Sequence, residues 1–142
     1  MMGYYSDINE LPKIDPKKLN AFLADVKKLK EILPEQHVLR DYLEHMRLDN
    51  KNKEIEEIYV NNGKFYHING LAVFLAKFAF PSLFTFIGED NAHWGFEYVK
   101  NPKKNTCDVY VLEYPGPKPK RSTKLDYHPE KYLSHNISPD NY

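Results

Sequence analysis

Residues able to do chemistry gather at three places in this chain. His37, Asp41 and His45 stand at i, i+4 and i+8. On a helix that spacing projects two imidazoles and a carboxylate from one face, and these are donor types that ligate zinc. Glu89, Asp90 and His93 crowd a turn just before Trp94. A carboxylate whose pKa is raised by a pocket there would serve acid–base chemistry. Cys107 is the single cysteine. It has no neighbouring base in sequence to lower its pKa, so it reads as a structural thiol.

Each group also has a plainer reading. The histidine set falls on the polar side of an amphipathic helix, and acidic residues are ordinary in tight turns. No second ligand pattern, phosphate loop, paired-cysteine motif or nucleophile elbow accompanies them. The reading therefore carries no metal, no cofactor and no catalytic residue, and it favours a non-enzymatic protein over the alternative of a metal-dependent enzyme.

The elements that would position these side chains follow from periodicity and punctuation. Tyr4, Tyr5 and Ile8 favour a first strand over Gly3–Glu10. Asp15 is an N-cap type and Pro16 suits the first helical position. Leu19, Phe22, Leu23, Val26, Leu29 and Leu33 then recur near the helical period. Pro34 ends that helix and starts a second, whose apolar stripe is Leu39, Tyr42, Leu43 and Met46, with Arg40, Asp41, Glu44 and Arg47 outward. Asn61-Asn62-Gly63 between Ile55–Val60 and Lys64–Ile68 predicts a hairpin. Asn69 is placed to cap a third helix, Leu71–Phe80, that is apolar nearly all round and closed by Pro81.

Leu83–Ile87, His93–Val99 and Cys107–Tyr114 predict a three-strand meander joined by turns at 88–91 and 101–105. Trp94, Phe96 and Tyr98 alternate onto one face of their strand. Together with Tyr110, Leu112 and Tyr114 they would form either a core beneath helices or a platform for stacking single-stranded bases. The fold class expected is α+β: three helices packed on a mostly antiparallel sheet, residues 1–114 forming one domain. From Pro115 the prolines at 115, 117, 119, 129 and 139 argue against regular structure, so 115–142 is expected to be an extended or disordered tail.

Composition narrows the function classes. With 20 basic and 20 acidic residues the net charge is zero, which supplies no general pull toward nucleic acid or membrane. Residues 55–114 lean acidic and the tail leans basic. The longest apolar run, Leu71–Phe80, is interrupted by Lys77 and is about half a membrane span. The N-terminus has neither the basic nor the apolar region of a signal peptide. The expectation is a cytoplasmic protein without membrane contact. Lys118, Lys120, Arg121, Tyr127 and Tyr132 are the candidate partner-binding residues, because a basic, tyrosine-bearing arm suits docking on a protein or on a second copy of the chain.

The opening Met2-Gly3-Tyr4-Tyr5-Ser6-Asp7 and the segment Phe86-Ile87-Gly88-Glu89-Asp90 followed by Trp94-Gly95-Phe96 resemble stretches of small accessory proteins encoded by tailed phages and prophages. The likeness covers about a quarter of the chain. It implies an accessory protein working in a bacterial host cytoplasm, with no functional residue to carry over. The leading expectation is a protein-interaction module that inhibits a host factor such as a defence component; a single-stranded nucleic-acid-binding protein is the alternative.

Overall fold

Asp15 and Pro16 begin the first helical segment as their residue types dictate. In the computed structural model, which describes residues 5–35, 37–51, 54–59, 65 and 67–125, the Asp15 carboxylate accepts the Lys17 amide at 2.9 Å. A 3-10 turn, Pro16–Lys18, leads into helix α1, Leu19–Ile32. Phe22 and Val26 are buried, whereas Leu23, expected within the apolar stripe, points to solvent. Its position lies just past the edge of the buried arc that Phe22 and Val26 define.

Helix α2 is short, Val38–Glu44, with Val38, Leu39, Tyr42 and Leu43 buried. The expected fourth member of that stripe, Met46, begins strand β2, Met46–Leu48, which pairs antiparallel with β3, Ile55–Ile58. The first arm of the expected hairpin is thus a strand, but its partner precedes it in the chain. The Asn61-Asn62-Gly63 turn lies outside the described residues. Ile68, assigned to the second arm, opens helix α3, Ile68–Leu75. His67 takes the left-handed conformation at φ 54 and starts α3 ahead of Asn69, the residue expected to cap it. Histidine is among the non-glycine residues enriched in that region. The helix ends at Leu75 instead of Phe80 because the following backbone is engaged elsewhere. Phe80 N–H donates to Lys13 carbonyl oxygen, Asp15 N–H to that of Phe78, and Cys107 N–H to that of Ala76.

The main sheet contains β1 (Ser6–Glu10), β4 (Ser82–Gly88), β5 (His93–Lys100), β6 (Cys107–Glu113) and β7 (Lys120–Leu125), in the order β1-β4-β5-β6-β7. Every neighbouring pair is antiparallel. The α+β architecture, with three helices on a mostly antiparallel sheet, is as the periodicity indicates. Strand β7 corrects the expectation that regular structure stops at residue 114. Residues 120–125 carry no proline, and they complete the β6 ladder through a bulge opposite Val111.

Residues directly opposite in a sheet share a face. The register Phe86↔Trp94, Phe84↔Phe96↔Val111 and Tyr98↔Val109 therefore collects one inner face. That face and α3 enclose the core: Phe22, Leu71, Leu75, Phe84 and Phe86 are each fully buried. The Phe22 ring packs edge-on against Phe78 at 5.4 Å, and Phe86 stacks on Trp94 at 4.1 Å. Tyr98, also buried, donates its hydroxyl to the Ala72 carbonyl at 2.9 Å, satisfying a polar group inside the core. Among the described residues no helix is long and apolar enough to cross a membrane.

Candidate functional site

The same register that builds the core separates the aromatics expected to lie together. Glu97 pairs with Tyr110 and Gly95 with Leu112, so Tyr110 and Leu112 lie on the face opposite Phe96 and Tyr98. Tyr114 follows them, its ring 5.4 Å from His93. The six-residue platform of Trp94, Phe96, Tyr98, Tyr110, Leu112 and Tyr114 is therefore not one surface. Alternation within a strand is a local property, while the offset between β5 and β6 decides which alternate sets coincide.

The outer face reads as three rows across the strands. One row runs Asp7, Ile87 and His93, with Tyr114 against the imidazole. The next runs Glu10, Thr85, Gly95, Leu112 and Arg121. The third runs Leu83, Glu97, Tyr110 and Lys124. Helix contacts fall on the other side: α3 is bonded to Tyr98, and the rings of α1 and α2 meet Phe74, Phe78 and Phe65. Leu83, Ile87, Val99, Tyr110 and Tyr114 stay half-exposed.

Three contacts order this surface. Arg121 donates to both Glu97 carboxylate oxygens, at 2.7 and 3.1 Å, and its guanidinium lies 5.8 Å from the Tyr110 ring centre. The hydrogen bond and charge of Glu97 raise the guanidinium pKa further. Thr85, fully buried, donates its hydroxyl to Glu10 at 3.0 Å. At the centre, Gly95 has φ +152, and an added Cβ would stand 2.4 Å from the Phe84 carbonyl oxygen and 2.6 Å from Thr85 Cα. A side chain is excluded there by the backbone of β4, and Thr85 and Leu112 on either side are buried.

At one end of the first row, Asn91, Ala92, His93, Tyr114, Gly116 and Pro117 line a shallow cleft of about 410 Å3. Burial, and then the Glu10 charge, push the Tyr114 phenol above its ordinary pKa. A smaller cleft of about 150 Å3 lies at the opposite end of the sheet, with Lys18, Lys100, Thr106 and Cys107 in its walls. The Cys107 thiol donates to the Ala79 carbonyl at 3.2 Å. Burial raises its pKa against the opposing charge of Lys18, which holds the nucleophilic form scarce.

The structure places the other expected site residues as follows. His37 is not on the face of α2 but at its N-cap, buried, with Nδ1 accepting the Leu39 amide at 3.1 Å. α2 ends at Glu44, so His45 is its C-cap and lies exposed, 3.4 Å from the Asp41 carboxylate. The i, i+4, i+8 face needs a longer helix than this one, and the three side chains do not converge as a ligand set. Among the described residues no group of three or more His, Cys, Asp or Glu side chains lies close enough to hold a metal ion.

Glu89 and Asp90 are exposed turn residues. Asp90 accepts the Ala92 amide at 3.1 Å, and Asn91 takes the left-handed position at φ 63. Only His93 of that trio joins the outer face. Lys118 is exposed in the loop before β7, Lys120 and Arg121 lie on β7, and Lys124 reaches Asp108 at 3.6 Å. The basic run is thus partly neutralised by carboxylates of β5 and β6. Tyr127 and Tyr132 lie outside the described residues.

The outer-face rows were missed in the sequence. The available signal was Gly95, since a glycine inside an otherwise regular strand marks a close backbone approach. Among the described residues this face offers tyrosines, aliphatic side chains and fixed charges, which suit contact with a partner. No protein-family model matches this chain, and no curated protein or solved structure matches it.

Proposed function

We propose that this chain is a non-enzymatic protein-interaction module whose contact surface is the sheet face that carries no helix among the described residues. Following its resemblance to phage accessory proteins, the partner is a factor of a bacterial host, and binding blocks that factor. The observation that carries the reading is the sidedness of the sheet. Helices cover one face, while the other keeps Leu83, Ile87, Tyr110 and Tyr114 half-exposed around the fixed Glu97–Arg121 pair. Tyrosine supplies large amphipathic contact area at small entropic cost, and a pre-ordered ion pair lowers the cost of docking further.

Two features favour a protein over a single strand of nucleic acid. Trp94, Phe96 and Tyr98 are committed to the inner face, and Arg121 and Lys124 are engaged with Glu97 and Asp108. A phosphate backbone needs cations free to replace its counterions.

The test is affinity capture from bacterial lysate with the full chain, with a Tyr110→Ala/Tyr114→Ala variant, and with Leu23→Ala on the far side as control. A protein held by the unaltered chain and by the control, but released by the double variant, is the expected result. Capture that ignores the double variant, or no reproducible partner, overturns the reading.

A further inference from the structure

We infer that the cleft between Tyr114 and the turn before β5 is a seat for the guanidinium or ammonium of a basic segment on the partner protein. This rests on the outer-face reading above and adds the chemistry of what the face receives.

The cleft has the size and walls for one long cationic side chain. Its volume is about 410 Å3, and the His93 and Tyr114 rings, 5.4 Å apart, form one side. Asn91, Ala92, Gly116 and Pro117 form the rest. A cation above a tyrosine face is attracted by the ring quadrupole, and the aliphatic stem of arginine or lysine packs on proline and ring carbons.

The charges around it select the sign of the occupant. Asp7 pairs across to Ile87, which pairs to His93, so its carboxylate stands at the far end of the same row. Glu10 is in the adjacent row, oriented by the Thr85 hydroxyl at 3.0 Å. Glu89 and Asp90 sit in the turn whose last residues line the cleft. Among the described residues the cation beside the cleft is Lys118, exposed and one residue beyond Pro117. Lys120 lies across from Glu113. Among the described residues carboxylates outnumber ammonium groups here, so an anionic side chain is repelled and a cationic one drawn in. Burial, and after it the charge of Glu10, raises the Tyr114 phenol, so the ring in the cleft wall keeps its proton.

The test uses the full, isotope-labelled chain and two short probes, acetyl-Arg-Gly-Arg-amide and acetyl-Glu-Gly-Glu-amide, followed by amide NMR. The arginine peptide is expected to shift His93, Tyr114 and Gly116, with affinity falling as salt rises, while the glutamate peptide leaves them in place. Glu10→Gln keeps an acceptor for Thr85, so the fold is preserved. It and Tyr114→Leu are each expected to weaken the arginine peptide by about two- to five-fold. Equal shifts from both peptides, shifts elsewhere only, or unchanged affinity in both variants overturns the inference. Arginine binding here without any captured protein leaves the seat standing and removes the interaction reading. A captured partner without arginine binding does the reverse.

Discussion

The Tyr98 hydroxyl donates to the Ala72 carbonyl at 2.9 Å across 26 residues of sequence, binding the inner face of β5 to the middle of α3. Both groups are inside the core, where an unpartnered carbonyl is costly.

Replacing Tyr98 by phenylalanine keeps the ring but strands the carbonyl, and is expected to cost about 1–3 kcal/mol in chemical denaturation. A pH effect follows. Burial pushes the phenol well above its ordinary value of 10.0. The folded state therefore holds a proton that the unfolded chain releases, so this stabilisation is complete below about pH 10 and fades as pH rises beyond it. Denaturation midpoints taken from neutral to strongly alkaline pH are expected to fall more steeply for the native chain than for Tyr98→Phe.

Gly95→Ala is expected to be among the most damaging single substitutions. The new Cβ would meet Phe84 oxygen at 2.4 Å and Thr85 Cα at 2.6 Å, both backbone of the neighbouring strand. The φ of +152 adds strain that alanine does not relieve. A loss of about 3 kcal/mol or more is expected from thermal or urea unfolding. A change below about 1 kcal/mol would show that the β4–β5 ladder yields more readily than its register implies.

His37→Ala removes both a buried ring and the N-cap of α2. The expected cost is about 2–3 kcal/mol, combining cap and cavity. His37→Asn restores a cap acceptor without filling the cavity, so it should recover about 1 kcal/mol of that loss. Metal titration provides the contrast: zinc is expected to leave the unfolding midpoint unchanged, and a zinc-dependent rise would reinstate His37, Asp41 and His45 as ligands.

Cys107 is expected to resist alkylation in the native protein. Burial raises its pKa and its S–H donates a hydrogen bond to the Ala79 carbonyl. Iodoacetamide labelling at neutral pH, followed by mass spectrometry, should proceed at least about ten-fold faster in denaturant than in buffer. Equal rates would show that the cleft bordered by Lys18 and Lys100 opens freely.

Much of the scaffold was legible because its signals are local. Asp15 and Pro16 mark a helix start through one side chain and one fixed φ, and both act there. The strands around Phe84, Phe96 and Val109 announce themselves by alternation and by the turns between them. The burial of α3 follows from its being apolar on every side.

What the chain settles through its own residue order is which side chains share a face within one strand or helix, because that depends only on the pitch of the backbone. Whether Tyr110 joins Tyr98 or opposes it depends on how β5 and β6 slide against each other, and a slip of one residue exchanges the faces. Only packing decided that, by placing Phe96 opposite Val111 and Glu97 opposite Tyr110. The same holds for Lys120–Leu125, whose polar sequence becomes a strand because β6 presents unpaired backbone to it. It holds too for His37, whose place at a cap and not on a helix face was set by where the buried side of α2 had to begin.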